Sequence, residues 1–204
     1  MQFCKPQCVP QIVNPSWGQN CDLTTRPGGV SRLTYFKCDP NYTHPYPDGW
    51  ENIENVKAAI CAGVLFVSGE ILGQKPKGSF TKKRLTSCSP ERIVSGTKTI
   101  TFQDYNADDT GLTDYDFWND VAKYASFMNF GFITCDDRWY QVTGSFDLEI
   151  DEVIEDTSEG NSYFDGTVTF QGIDIVKPII VAGLNDALRS FDVNETCYGY
   201  YYQP

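Results

Sequence analysis

From residue 91 onward the chain keeps a two-residue rhythm that only extended backbone can use. In RIVSGTKTITFQD, Ile100 and Phe102 fall on one face, and Thr99, Thr101 and Gln103 on the other. RWYQVTGSFDLEI (138–150), read as one strand, repeats the alternation at Phe146, Leu148 and Ile150, and YFDGTVTFQGIDIV continues it. Successive side chains of a strand point to opposite faces, so such runs build sheets with one dry and one wet side. FGFITCDD and RWYQVTGSFDLEI read as neighbouring strands with a turn at Asp137 before Arg138. VSRLTYFK (30–37) and VLFVSGEIL (64–72) add strands upstream.

Two segments leave this rhythm for a helical one. In GWENIENVKAAICA (49–62), Trp50, Ile53, Val56 and Ile60 recur at three- and four-residue steps. Asp48 and Glu51 give a capping-box start, and Gly63 a stop. In DYDFWNDVAKYASFM (114–128), Trp118, Val121, Ala122, Ala125 and Met128 share a face, with Thr113 or Asp114 as cap. AGLNDALR (182–189) is a shorter helical stretch. The fold class expected is therefore mostly β (α+β): a sandwich or barrel of about seven or eight strands with one or two flanking helices. Residues 1–29 hold Pro6, Pro10, Pro15 and Pro27 with several glycines and read as an extended arm. The β domain is expected over 30–190, with a tyrosine-rich tail over 191–204.

Sixteen basic residues against 27 acidic ones give a net charge of −11. Such a balance excludes a DNA-wrapping surface, which needs a broad basic footprint, but suits a channel through which DNA slides. The most apolar run, AAICAGVLFV at 58–67, is about half of a membrane span. MQFCKPQCVPQ lacks the apolar centre of an export signal, so synthesis in a cytoplasm and reduced cysteines are expected. Of eight cysteines, Cys61 and Cys135 lie in apolar runs and read as core thiols. Cys4, Cys8, Cys21 and Cys38 fall in the Pro/Gly-rich arm and the loop after the first strand. A tetrahedral zinc, disulfides or unlinked thiols are open there, although C-x3-C-x12-C-x16-C lacks the paired knuckles of zinc ribbons.

Against the acidic background, GQKPKGSFTKKR (73–84) packs Lys75, Lys77, Lys82, Lys83 and Arg84 into ten positions. Gly73 and Gly78 mimic a phosphate loop, yet Ser79 and Phe80 stand where Lys and Ser/Thr belong, and Pro76 removes an amide. The segment reads instead as a Pro- and Gly-punctuated loop that contacts another subunit. Its acidic counterpart runs from Asp147 to Glu159 and includes Asp151, Glu152, Glu155 and Asp156. A basic and an acidic segment on one domain suit head-to-tail contact between copies, which closes into rings or propagates into tubes. A solvated surface is the plainer account of both.

Catalytic chemistry finds little support. Asp104, Asn106 and Asp108 begin like a calcium loop, but Asp109 replaces the glycine and Tyr115 the bidentate glutamate. The plainer account is a solvated acidic turn capping the second helix. The single histidine, His44, lies in a proline-rich loop, and Asp136 and Asp137 beside Cys135 would raise a thiol's pKa. No enzyme activity and no cofactor are expected.

GGVSRLTYFKCDPN, GEILGQKPKGSFTKKRLTSCSPERIVSGTKTITFQDYNADDT, DYDFWNDV and FDGTVTFQGIDIVKPIIVAGL together resemble structural proteins of bacteriophage virions, over roughly residues 28–184. More narrowly, they are similar to tail-module proteins of phages infecting Bacteroidetes hosts, the crAss-like viruses among them. The resemblance implies a tail-tube or tail-ring subunit: a β-sandwich or barrel with a flanking helix and a long protruding loop or hairpin. It further implies six- or twelve-fold rings around the DNA path, contacts with neighbouring tail or portal-adaptor proteins, and passage of double-stranded DNA without specific binding. Residence in the virion tail, after assembly in the bacterial host cytoplasm and without a membrane partner, follows from it. The cysteine-rich arm departs from that pattern and leaves room for an adaptor or stopper. A host-facing fibre or receptor-binding module is the alternative, drawing on the tyrosine tail and Trp17, Trp50, Trp118 and Trp139.

Overall fold

The computed structural model describes residues 29–37, 42–84, 86, 91–105, 112–142, 144–153, 163–172, 176–191 and 197. Its strands are β1 (Val30–Lys37), β2 (Leu65–Val67), β3 (Leu72–Gly73), β4 (Lys77–Lys83), β5 (Arg92–Asp104), β6 (Met128–Thr134), β7 (Arg138–Val142), β8 (Phe146–Val153), β9 (Tyr163–Gln171) and β10 (Ile179–Ile180). Among the described residues the α-helices that interrupt them are α1 (Ile53–Cys61), α2 (Leu112–Tyr124) and α3 (Leu184–Arg189). The fold is mostly β of the α+β kind, as the alternation predicts. The strands form one antiparallel sheet of ten that does not close, in the order β10-β7-β6-β1-β3-β5-β9-β8, with β2 added to β1 and β4 to β5. The surplus over seven or eight strands comes from β4, from the two-residue pieces β3 and β10, too short to carry a period, and from 138–150, which is not one strand but is divided at Gly144 (φ 142°) into β7 and β8.

The sheet is rolled rather than flat. Strands β6 and β9 stand four places apart, which in a flat sheet means about 19 Å. Yet the Phe130 and Phe170 rings are 5.5 Å apart, and Phe146 of β8 lies 5.3 Å from Phe130 and 5.8 Å from Tyr35. The bend falls at β3, where Gly73 pairs with Val30; a Cβ there would meet Val30 at 2.7 Å, so only glycine admits the crossing. Between the halves lies the main core, with Leu33, Tyr35, Ile100, Phe102, Phe130, Phe146, Val168 and Phe170. α2 packs on it: Trp118 stacks on Phe102 at 5.1 Å, and Phe117 meets Tyr35 edge-on. A second cluster on the other side of β1 and β6 holds Val56, Ala59, Leu65, Ile133, Trp139, Val181 and Leu184 beneath α1 and α3. β1 is therefore buried on both faces from Val30 to Tyr35, and its buried polar side chains are hydrogen-bonded: Ser31 donates to the Ile133 carbonyl, Arg32 to the Ser68 carbonyl, and Thr34 accepts from Trp139 Nε1.

Several sequence expectations need correction. Residues 64–72 are not one strand: after β2 the chain leaves β1 at Ser68, whose Oγ accepts the Leu33 amide at 2.9 Å, and re-pairs as β3. The second helix ends at Tyr124; Ala125–Phe127 tightens into a 3-10 turn and Met128 already opens β6. Cys61 is not a free core thiol, because the C-terminal end of α1 meets Cys197 and the two form a disulfide with Cα atoms 5.1 Å apart. Cys135 is exposed, since β6 stops at Thr134 and the turn through Asp137 (φ 59°) carries Cys135 outside. Lastly, 73–84 is not a loop. Residues 77–83 form β4, a seven-residue strand in a hairpin with β5.

Candidate subunit-contact site

The hairpin owes its existence to a packing arrangement invisible in composition. Phe80 pairs across the ladder with Gly96, and its ring lies over Gly96 and Gly78; a Cβ on either glycine would fall within 2.6 Å of that ring. Covering two strand glycines with one aromatic restores the side-chain contact they lack. β9 pairs with β5 only as far as Thr97, and Gly172 donates its amide to the Gly96 carbonyl at 3.1 Å. Residues 92–95 of β5 and their β4 partners therefore project past the sheet, by about 13 Å at ~3.3 Å per residue. We call this projection the arm.

The arm is basic and partly apolar. Lys75 precedes it, and Lys77, Lys82, Lys83 and Arg84 are all exposed. Arg84 has a partner inside its own hairpin, Glu91, at 3.6 Å. Phe80, Ile93 and Val94 show 44%, 41% and 40% of their surfaces to solvent. Three large apolar side chains that exposed on a single hairpin form a patch of the kind that marks an interface.

The acidic counterpart lies in the same four-stranded ribbon, β8-β9-β5-β4. β8 turns Phe146, Leu148 and Ile150 inward and exposes Asp147, Glu149, Asp151 and Glu152. Glu155 and Asp156 lie outside the described residues, as do Cys4, Cys8, Cys21 and Cys38. The ladder registers fix the relative heights. Lys77, Thr99, Thr169 and Asp147 form one row across the ribbon. From it β4 climbs toward the arm, while β8 descends to Val153, opposite Tyr163. Lys82 and Lys83 thus stand at one end of the ribbon and Asp151 and Glu152 at the other, while Lys77 and Asp147 share the row between them with two strands intervening.

Sequence reasoning missed the apolar half of the acidic end. The 3-10 turn before β6 packs beside β8 and leaves Phe127 77% exposed, with Tyr124 next to it. Tyr105, just past β5, is exposed and stacks on Tyr163 at 5.0 Å. The available signal was Phe127 falling off the apolar face that Trp118 and Val121 define.

Other residues singled out in the sequence have local roles. Asp104 is fully buried and accepts a hydrogen bond from Trp118 Nε1 at 2.9 Å, tying α2 to β5; Asn106 and Asp108 lie outside the described residues. Asp136 pairs with Arg138 at 2.9 Å. The Asp137 carboxylate accepts the amides of Gly183 and Asn185 at 3.0 and 2.9 Å, satisfying the start of α3. His44 sets its ring edge against Trp50, centroids 4.3 Å apart, and burial lowers its pKa. No protein-family model matches the chain, and no curated protein matches it.

Proposed function

We propose that this chain is a non-enzymatic structural protein of a bacteriophage virion, a tail-tube or tail-ring subunit that assembles with copies of itself around the DNA path. One observation carries the reading: a single ribbon of sheet bears exposed lysines at one end and exposed carboxylates at the other, each beside exposed apolar side chains. A surface of that kind is complementary to itself only head to tail. Heterologous contact of this sort builds rings or tubes, and opposite charge sets partner and register. The net charge of −11 supports a conduit, because an acidic wall lets double-stranded DNA pass without holding it. Neighbouring tail or portal-adaptor proteins are the further partners of such a subunit in the virion. No helix among the described residues is long and apolar enough to cross a membrane. A host-facing module draws less support, since Trp118 and Trp139 are buried in the two cores.

Sedimentation of the purified full chain, with particle imaging of the same sample, tests the reading. Annular or tubular particles with an open channel are the expected result. A chain that stays monomeric at every concentration and binds a glycan overturns it.

A further inference from the structure

We infer that the arm joins copies along the strand direction, pole to pole, rather than side by side at one level, so that the basic arm of one copy docks on the Tyr124–Phe127 corner and acidic end of β8 in the next. This inference rests on the self-assembly reading above and specifies its partner surface.

Height along the ribbon decides between the two geometries. Counting from the shared row of Lys77 and Asp147, Lys82 stands five residues up β4 and Asp151 four residues down β8. Nine residues at ~3.3 Å each amount to about 30 Å. The Debye length in physiological salt is about 8 Å, so charges that far apart do not attract one another measurably. In a side-by-side contact at equal height, β4 and β8 overlap only at residues 77–78 and 146–147, leaving the arm beyond the neighbour's edge. Stacking along the strand axis instead brings the whole arm to the acidic end.

The apolar residues follow the same division. Phe80, Ile93 and Val94 belong to the arm. The opposite pole gathers Tyr105 at the end of β5, Tyr163 at the start of β9, and Phe127 where the chain enters β6. The 3-10 turn that carries Phe127 packs beside β8, so Phe127 accompanies the carboxylates of that strand. The arm carries Lys82, Lys83 and Arg84 against Glu91, and the opposite pole carries Glu149, Asp151 and Glu152 with Lys123 over the Tyr124 ring, so the two poles differ in the sign of their excess charge and each has exposed apolar surface beside it. A second copy of the chain is the occupant that supplies both the opposite charge and the apolar complement.

The test places the photo-crosslinking residue benzoylphenylalanine at position 80 of the full chain, and separately at position 94, and maps products in assembled material. Cross-links from either position to residues 105 or 124–127 of another copy are expected. Phe127→Asp should lower their yield by about tenfold, the loss typical of removing a central interface aromatic. Assemblies that cross-link instead to residues 145–149 would overturn the axial contact and leave self-assembly standing, as would assemblies with no product from either position. A chain that forms no assembly at all overturns both.

Discussion

Asp104 and Trp118 show how far a residue's setting can depart from its neighbourhood in sequence. Asp104 stands at the head of an acidic, glycine-containing stretch and reads as solvated, yet it is buried and receives the indole N–H from α2. Burial of Trp118 itself was legible from the helical period. Its acceptor was not, because the partner lies 14 residues away in a separate element. Trp118→Phe keeps the packing but removes the donor and should cost about 1–3 kcal/mol, read from urea unfolding midpoints; a change within experimental error would contradict this role. His44 supplies a pH signature. Its pKa is depressed on folding by burial, so the unfolded chain binds the proton more readily. Its contribution to stability is therefore complete above its ordinary value of 6.5 and is lost as pH falls below it. Between about pH 7.5 and about pH 5, His44→Gln should lose less thermal stability than the parent, because the variant has no imidazole to protonate. Equal losses would place the pH dependence elsewhere.

At the scale of elements, the long alternating strands and the first two helices were readable because burial imposes their periods directly. Elements fixed by distant partners were not. β4 reads as a loop since Lys, Gly and Ser disfavour strands, and what holds it is the ladder to β5 and the Phe80 ring over two glycines. The loop before α1 has a comparable hidden staple. Buried Asn55 donates its side-chain amide to the carbonyls of Tyr46 and Gly49 at 2.9 and 2.7 Å and accepts the Tyr46 amide at 2.9 Å. Asn55→Ala strands several of these backbone groups at once. It should destabilise the protein by about 2–4 kcal/mol and speed amide exchange at Tyr46. Unchanged exchange there would refute the staple.

For the whole molecule, a mostly-β fold was legible, whereas the roll of the sheet was not. No local period encodes that Phe130 will touch Phe170, which is decided by a two-residue strand with one glycine. The candidate contact site was legible in its charges and not in its geometry. Lys82 and Asp151 are conspicuous in sequence, but the registers that set them at opposite ends of one ribbon arise only from the fold. Head-to-tail electrostatics between copies is the central claim, and paired charge reversals measure it most directly. One variant carries Lys77→Glu, Lys82→Glu and Lys83→Glu; the other carries Glu149→Lys, Asp151→Lys and Glu152→Lys. Each alone should sediment as a folded monomer, since its two poles then bear the same sign. Mixed in equal amounts they should assemble, because every arm again meets a pole of opposite charge. Assembly of either variant by itself, or a mixture that stays monomeric while the parent chain assembles, would contradict the account.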